Sequence, residues 1–371
     1  MASAQHKANE EVVLILSTEM DMELPVFIAG NFNNWDDSDA TYRMERVGMN
    51  LFRYVFKNKH VLPPKLEYKY HRGAWAYEEL DAYGNEAPHR LLDISAEKGF
   101  SGKQEDFVPR WKKNGLVYNP AFLPHCHIIT APFDIPQLIK TRRITALLPH
   151  DYATSNKRYP VLYLQDGQNL FDDYAPFGNW AVDKKLAIMA EKGIGDLIVV
   201  AIDHAHEERV AEFTPSEYTH LGKGSGKKYI QFLAETLKPY IDQNFRTLSD
   251  REYTGIGGSS MGGIISIYGG LRYPQVYGRL MVFSPSLWAT PYIHFHFLKS
   301  VSLTDVKIYL YGGGKESKTM VPNIQNFKKA FVQSGKTDVN IKLSIDPQGL
   351  HNEVRWGIEF PKAAEWLFFN K

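Results

Sequence analysis

The first hundred residues alternate short apolar runs with turn-forming residues. The runs are rich in β-branched and aromatic side chains, which is typical of strands. They cover residues 12–16, 26–29, 52–56 and 66–70, and they are separated by Gly30-Asn31, Gly48, Pro63-Pro64 and Gly84-Asn85. Glycine and proline at such positions favour turns. The pattern therefore predicts a small all-β, immunoglobulin-like sandwich over residues 1–100.

The pattern changes in the rest of the chain. Residues 101–120 are polar and lack periodicity, and we expect a linker there. Beyond them, strand-like apolar runs cover 161–164, 196–202, 252–257, 279–283, 306–311 and 339–345, and helical patterns cover 227–241, 262–272, 320–334 and 357–369. Pro239 is expected to bend or shorten the first helix. Alternating strands and helices predict an α/β domain over 121–371, with a mostly parallel sheet and helices on both faces.

Composition narrows the possible partners and compartments. The 371 residues include 43 basic and 42 acidic side chains, for a formal net charge of +1. This balance gives no reason to expect a nucleic acid or a membrane surface as partner. The single cysteine, Cys126, excludes an internal disulfide and a cysteine-based metal cluster. No apolar run has the length of a signal peptide core or a membrane span, so we expect a cytoplasmic protein. Removal of a signal peptide would leave secretion or a periplasmic location open.

The pattern Gly258-Ser259-Ser260-Met261-Gly262 matches G-x-S-x-G, the turn that exposes a serine nucleophile between a strand and a helix. Small residues are needed on both sides because the turn is strained and lies close to neighbouring elements. The predicted strand before it and the predicted helix after it supply the required context. Ser260, rather than Ser259, occupies the apex and is the expected nucleophile.

A serine nucleophile needs a base, and an acid that orients the base. His351 is the best-placed histidine, because it follows the last predicted strand on a glycine-containing loop. Glu316 is the only carboxylate in the loop 312–318, which follows the preceding strand, and Asp346 and Glu353 are its competitors for the role of the acid. His294 and His296 are expected in a pocket wall. The pair His125 and His127 could bind a metal, but it lacks a third ligand, so a structural role is favoured and no metal or cofactor is expected.

The oxyanion hole needs two backbone N–H donors. Met261 follows the nucleophile directly and is the first candidate. Gln168, in the loop that follows the strand 161–164, is the second, because Gly167 lets the backbone approach closely. Asp166 precedes this glycine, and we expect it to hold the turn rather than to act as a catalytic acid.

Four segments together resemble a known esterase family. They are 161–171, 255–263, 283–288 and 349–356, and the resemblance spans about residues 125–370. The family includes esterase D, feruloyl and acetyl-xylan esterases, siderophore esterases and mycolyltransferases. The resemblance implies an α/β-hydrolase fold with Ser260, Glu316 and His351 as the catalytic triad. This chain has Gln165 where relatives often have a histidine, which alters polarity beside the oxyanion hole but not the backbone donor.

Three residues are candidates for substrate binding: Trp288, Arg209 and Trp180. Arg209 belongs to a segment, 209–213, that also resembles a family pattern. The favoured interpretation is an ion pair of Arg209 with Glu212 that braces the rim of the site. Binding of an acidic substrate group by Arg209 is the alternative.

The N-terminal segments 26–35 and 66–75 are similar to starch- and glycogen-binding β-sandwich modules. Trp35 and Trp75 could stack on sugar rings, because flat apolar faces match. The slightly favoured alternative is that both tryptophans pack within the sandwich or against the esterase domain.

The leading hypothesis is a serine carboxylesterase that acts through an acyl-enzyme on a small-molecule or glycan ester. The ester could be one of a carbohydrate, a hydroxycinnamate or a siderophore. Acyl transfer by the same triad is one alternative, since only the acceptor of the acyl group differs. A glycan-binding protein with a non-catalytic hydrolase scaffold is another. The sequence leaves the oligomeric state open.

Overall fold

The computed structural model describes residues 10–19, 24–95, 100–215, 221–289, 306–333 and 341–370. The chain divides into two compact units, Met1–Asn119 and Pro120–Lys371. Among the described residues, every helix is too short or too polar to cross a membrane.

The first unit is built from short strands. A four-stranded sheet has the order β3-β4-β1-β8, a three-stranded sheet has the order β2-β5-β7, and β6 pairs with β9. The strands are β1 Val12–Thr18, β2 Phe27–Gly30, β3 Glu45–Gly48, β4 Leu51–Phe56, β5 Lys65–His71, β6 Glu79–Leu80, β7 Arg90–Asp93, β8 Lys103–Val108 and β9 Arg110–Trp111. Short 3₁₀ turns lie at Ala40–Tyr42, Lys59–Val61 and Trp75–Tyr77.

Alternation along the strands produces the core of this unit. In β1, Val12, Leu14 and Leu16 are buried, and the residues between them are more exposed. They pack in one cluster with residues of the other sheet, such as Ile28 and Leu66. The two layers share a single apolar core, as expected for a sandwich.

The predicted linker was wrong in part. Residues Lys103–Val108 form β8, which pairs in parallel with β1. This strand lies at the edge of its sheet, and Lys103 and Glu105 point to solvent, so it needs few apolar residues. Its inward-facing Asp106 accepts hydrogen bonds instead of packing against carbon. A polar edge strand of this kind has no apolar periodicity for a sequence pattern to detect.

The second unit contains an eight-stranded sheet of order β10-β11-β13-β12-β14-β15-β16-β17. The six strands β12 to β17 are parallel to one another. The strands β10 and β11 lie at one edge of the sheet, where β10 pairs with β11 and β11 pairs with β13 in antiparallel fashion. Their bounds are β10 His125–Ile135, β11 Lys140–Leu148, β12 Val161–Gln165, β13 Ile198–Ile202, β14 Thr254–Ser259, β15 Arg279–Phe283, β16 Lys307–Gly313 and β17 Ile341–Asp346. The predicted α/β-hydrolase fold is confirmed.

Helices cover both faces of this sheet. They are α1 Val182–Glu191, α2 Arg209–Glu212, α3 Gly226–Phe232, α4 Lys238–Asn244, α5 Met261–Arg272, α6 Met320–Gln333 and α7 Glu353–Ala364. In β12, Val161 and Tyr163 belong to one apolar cluster and Leu162 and Leu164 to another, so the strand is buried on both faces. The first cluster includes residues of α3 to α6, and the second includes residues of α1 and α7.

Pro239 has a smaller effect than predicted. A π-helical turn, Leu233–Leu237, joins α3 to α4, and the helix continues to Asn244. Pro239 lies just after this π-helical turn, and the changed hydrogen-bond pattern there accommodates its missing N–H without ending the helix. A second π-helical turn, Glu365–Phe369, follows α7. Such turns absorb a local irregularity without ending the helix.

Candidate active site

The predicted serine, acid and histidine all follow parallel strands. Ser260 comes directly after β14, Glu316 after β16 and His351 after β17. The strands β14 to β17 are neighbours in the sheet, so their carboxyl ends meet at one edge. Open α/β sheets bind ligands at this edge.

Ser260 lies in a strained turn. Its φ is +56° and its ψ is −121°, outside the regions that non-glycine residues commonly adopt. The Ser260 N–H donates to the Phe283 carbonyl at 3.0 Å, and α5 begins at the next residue. A Cβ on Gly262 would lie 3.0 Å from Asp166 Oδ2, so this glycine permits a close approach. Strain of this kind is concentrated at functional sites.

The acid and the histidine are in direct contact. His351 Nδ1 lies 2.7 Å from Glu316 Oε2. The other carboxylate oxygen, Oε1, accepts the Gly313 N–H and the Ser284 hydroxyl, each at 2.6 Å. The Glu316 side chain is 2% exposed, whereas that of His351 is 40% exposed. The buried carboxylate is thus fully hydrogen-bonded, and the imidazole faces the open side of the site.

The competing acids contact other groups. Asp346 accepts the Gln348 N–H at 2.9 Å and pairs with Arg355 at 3.3 Å. Glu353 begins α7, and its Oε1 lies 3.4 Å from Asn169 Nδ2. Burial raises the pKa of Glu353, and the charge of Asp166 adds to this effect.

Two cavities adjoin Ser260 and His351. The larger has a volume of about 790 Å³, and its other walls include Asp166, Asn169, Phe177, Trp180, His204, His206, Glu207, Arg209, Glu353 and Trp356. The smaller has a volume of about 220 Å³ and is lined in addition by Pro285, Ser286, Trp288, Glu316, Ser317, Thr319, Met320 and Asn323. The Ser260 hydroxyl contacts Ser286 Oγ at 3.1 Å. Two cavities of different size therefore meet at Ser260 and His351.

The loop after β12 is held by its own side chains. It forms a 3₁₀ turn, Gly167–Asn169. The Gln168 side chain donates to the His204 carbonyl at 3.1 Å and accepts the His204 N–H at 2.9 Å. This two-way contact fixes the backbone that carries the Gln168 amide. Met261 is the first residue of α5, where a helix has N–H groups without intrahelical partners.

Arg209 has a different partner from the one predicted. Its guanidinium makes two hydrogen bonds to Asp166, at 2.5 and 2.8 Å, and not to Glu212. Glu212 is buried and pairs with Arg142 at 2.8 Å. Arg209 and Glu212 lie on one short helix, but residues of other elements supply the partners of both. Asp166 has a φ of +58°, so its backbone makes the turn while its side chain binds Arg209.

The two candidate tryptophans differ in exposure. Trp180 is 3% exposed, stacks on Phe283 with 5.4 Å between ring centroids, and contributes to the wall of the larger cavity. Trp288 is 55% exposed and lines the smaller cavity. Trp288 is therefore the more accessible of the two to a ligand.

The tryptophans of the first unit contact other rings. Trp35 and Trp75 are half-buried, with centroids 6.4 Å apart, and Trp35 lies 4.2 Å from His89. They thus take part in ring packing within the sandwich, and sugar binding by them stays a prediction.

The remaining histidine predictions have separate outcomes. His294 and His296 lie outside the described residues. His125 Nε2 lies 3.2 Å from the His150 carbonyl, and His127 packs on Phe245. Across the described ranges, no group of three or more His, Cys, Asp or Glu side chains is arranged to hold a metal ion.

Three side chains that lie against the predicted triad were not assigned to the site from the sequence: Ser284, Ser286 and Trp356. Ser284 contacts Glu316, Ser286 contacts Ser260, and the Trp356 ring lies 5.0 Å from that of His351. All three fall within the segments 283–288 and 349–356, which carry the family resemblance. That resemblance was the available signal, but it assigned these residues no role.

The parallel sheet, the strained serine turn and the loops after β16 and β17 define an α/β hydrolase. The family described as "Putative esterase" matches residues 136–367. This match covers more than half of the chain, and the chain belongs to this family. Together with the named esterases among its relatives, this membership makes the protein a serine esterase, a carboxylic ester hydrolase.

Individual relatives are distant. The chain is 25% identical over 244 residues to the Bacillus subtilis protein YbbA, whose activity is not described, covering 61% of this chain and 92% of that protein. It is 28% identical over 213 residues to the iron(III) salmochelin esterase of Escherichia coli O6:H1, covering 53% of this chain and 48% of the enzyme. The match thus spans about half the length of that esterase.

A further match, to a solved structure, extends over nearly the whole chain. It is the enterobactin esterase FES from Shigella flexneri, in the presence of enterobactin. The TM-score is 0.55 at 15% identity, and the alignment covers 96% of this chain and 92% of that one. At this identity the likeness demonstrates the fold alone.

Proposed function

We propose that this esterase works through an acyl-enzyme with Ser260 as nucleophile, His351 as base and Glu316 as the acid that orients His351. The observation that carries the proposal is the 2.7 Å contact between His351 Nδ1 and Glu316 Oε2, in a site that also contains the strained Ser260. A contact through Nδ1 leaves Nε2 free to accept the serine proton.

The reaction then proceeds in two stages. Ser260 Oγ attacks the ester carbonyl while His351 takes its proton, and the negative charge of Glu316 stabilises the imidazolium. The N–H groups of Met261 and Gln168 hold the oxyanion. His351 returns the proton to the leaving alcohol, and water releases the acid by the same route. The Ser260 hydroxyl, which contacts Ser286 Oγ at 3.1 Å, passes its proton to His351 during this attack.

The charge of the larger cavity favours an uncharged ester. Asp166, Glu207 and Glu353 are among its walls, and its arginine, Arg209, is already paired with Asp166. A polyanionic ligand would gain little from a paired arginine and would be repelled by the other two carboxylates. Among the ester classes suggested by the relatives, feruloyl or glycan esters therefore fit this site better than anionic siderophores.

The test compares Ser260→Ala with Ser259→Ala on a short p-nitrophenyl ester. Ser260→Ala should lower kcat by about 10⁶-fold, because it removes the nucleophile. Ser259→Ala changes the buried neighbour in β14 and should retain turnover. Full activity in Ser260→Ala, with loss of activity in Ser259→Ala, would reject the assignment of the nucleophile.

A panel of feruloyl, acetyl-glycan, siderophore and simple acyl esters identifies the substrate class. Adding a sugar alcohol to the same assays separates hydrolysis from acyl transfer, because a transferase would form a new ester. Glycan binding without turnover of any ester would instead favour the non-catalytic scaffold.

The single cysteine, Cys126, allows no disulfide within the chain and favours a reducing compartment such as the cytoplasm.

A further inference from the structure

Ser284 lies directly after β15 in a costly conformation. Its φ is +44°, in the left-handed region that serine rarely adopts. The residue is fully buried, and its N–H donates to the Tyr311 carbonyl at 2.8 Å. A buried side chain on strained backbone calls for a compensating contact, and the hydroxyl of Ser284 makes two.

The hydroxyl of Ser284 lies between two residues of the site. Its Oγ donates to Glu316 Oε1 at 2.6 Å and accepts the indole N–H of Trp356 at 2.9 Å. The direction of both bonds follows from chemistry. An indole nitrogen can only donate, so Ser284 must be its acceptor. The single hydroxyl hydrogen is then available to Glu316.

These bonds fix the rotation of the Glu316 carboxylate. Oε1 accepts both the Ser284 hydroxyl and the Gly313 N–H, and Oε2 is left to face His351. Rotating the carboxylate would break both bonds to Oε1. The Trp356 ring also stands at 85° to the ring of His351, at 5.0 Å between centroids. The contacts therefore link four side chains in a ring: Trp356, Ser284, Glu316 and His351.

We infer that Ser284 is a positioning residue for ester hydrolysis, which holds Glu316 with one oxygen aimed at His351, and that Trp356 orients the Ser284 hydroxyl. The inference rests on the proposed triad. A carboxylate already aimed at the imidazole can stabilise the imidazolium without reorganising, which is the source of its catalytic effect. Ser284 itself does not touch the substrate.

The main test is Ser284→Ala, with Tyr309→Phe as matched control. The Tyr309 hydroxyl also donates to a buried carboxylate, Glu359 Oε1, at 2.7 Å, and neither residue belongs to the proposed triad or lines the two cavities beside Ser260. Ser284→Ala should lower kcat by about 10- to 100-fold with little change in KM, because a hydrogen bond to a charged group is lost. Tyr309→Phe should stay within about twofold of the native kcat. Equal kcat values for the two variants would overturn the inference.

A spectroscopic measurement reports on the acid–histidine contact itself. The proton between His351 Nδ1 and Glu316 gives a downfield ¹H NMR resonance, which can be assigned by its loss in His351→Gln. In Ser284→Ala this resonance should move upfield or broaden, and in Tyr309→Phe it should not change. An unchanged resonance in Ser284→Ala would show that Ser284 does not position Glu316.

Two further variants keep the test decisive. Trp356→Phe removes the indole N–H and retains a ring, so it should reduce kcat in the same direction by a smaller factor and shift the same resonance. If Ser284→Ala does not fold, Trp356→Phe replaces it as the test variant. An unchanged resonance of the proton between His351 and Glu316 in folded Trp356→Phe protein would then contradict the inference. Ser260→Ala is assayed in parallel. Turnover in Ser260→Ala would refute the triad, whereas an inactive Ser260→Ala beside a native-like Ser284→Ala would refute only the role of Ser284.

Discussion

The two units of the molecule treat buried charge differently. In the first unit, Arg90 pairs with Glu79 at 2.7 Å and with Asp106 at 3.2 Å, and the hydroxyls of Tyr68 and Tyr70 both donate to Asp106 at 2.8 Å. Within this network, the charged groups and the two tyrosine hydroxyls serve as one another's partners. The second unit also contains closed pairs, such as Arg142 with Glu212. Its Ser260, Glu316 and His351, however, follow the carboxyl ends of strands and line a cavity open to a ligand.

This difference separates polar groups that hold the fold together from polar groups that are placed to react with a ligand. Buried charges that pair with one another specify how strands fit together, and none of them remains available to a substrate. In the candidate active site of the second unit, both oxygens of Glu316 have hydrogen-bond partners, and the His351 that it contacts is partly exposed. A bonded carboxylate behind an accessible imidazole fits the catalytic role proposed for this pair.

After loss of the nucleophile, the largest expected effect concerns Glu316. Glu316→Gln should lower kcat by about 10³- to 10⁴-fold, because a neutral amide cannot stabilise the imidazolium. The measurement is turnover of a p-nitrophenyl ester. Asp346→Asn is the control, since Asp346 pairs with Arg355 instead. A greater loss in Asp346→Asn would move the role of the acid to Asp346 and weaken the contrast between the units.

The buried network of the first unit should affect stability instead of turnover. Arg90→Ala leaves Glu79 and Asp106 without their cation, and should destabilise the first unit by about 3–5 kcal/mol. Hydrogen exchange of β1 and β5 measures this loss. Lys103→Ala removes an exposed ion pair with Glu105 and should cost less than about 1 kcal/mol. Equal protection in the two variants would contradict a structural role for the network.

Substitution of Arg209 tests whether its side chain stabilises a loop of the site or binds an acidic group of the substrate. Arg209→Gln leaves Asp166 unpaired beside the loop that carries the Gln168 amide, and should lower kcat by about 10- to 100-fold for neutral and acidic esters alike. Glu207→Gln, in the wall of the same cavity, serves as control. A rise in KM confined to esters with a carboxylate would instead support binding of an acidic substrate group by Arg209.

The smallest effect is the response of the first unit to acid. Burial lowers the pKa of His71, and the neutral ring accepts the Gly73 N–H at 3.3 Å. The unfolded chain therefore binds the proton more readily than the folded chain. Stability should be complete above about pH 6.5, the ordinary pKa of histidine, and should decrease as the pH falls below it.

Hydrogen exchange of β5 at pH 7.5 and 5.5 measures this response. His71→Gln cannot titrate, so its stability should depend less on pH over this interval. An equal pH dependence in the native protein and His71→Gln would assign the acid sensitivity to other groups.

Local periodicity predicted much of the fold. The strand expected at 279–283 coincides with β15, and most other predicted strands agree within a few residues. Buried parallel strands are continuous apolar runs, so the sequence marks them directly. β8 was missed because most of its residues are polar and its partner, β1, lies about ninety residues earlier in the chain.

The candidate site likewise has features that the sequence predicted and features that it did not. The sequence by itself determined the serine turn at Ser260 and the loops that carry Glu316 and His351, because strained turns and strand ends leave local signals in glycine and in apolar runs. Only the tertiary structure decided that Arg209 pairs with Asp166 and that Ser284 bonds Glu316. Such contacts join residues from separate strands, and no spacing along the chain encodes the distance between them.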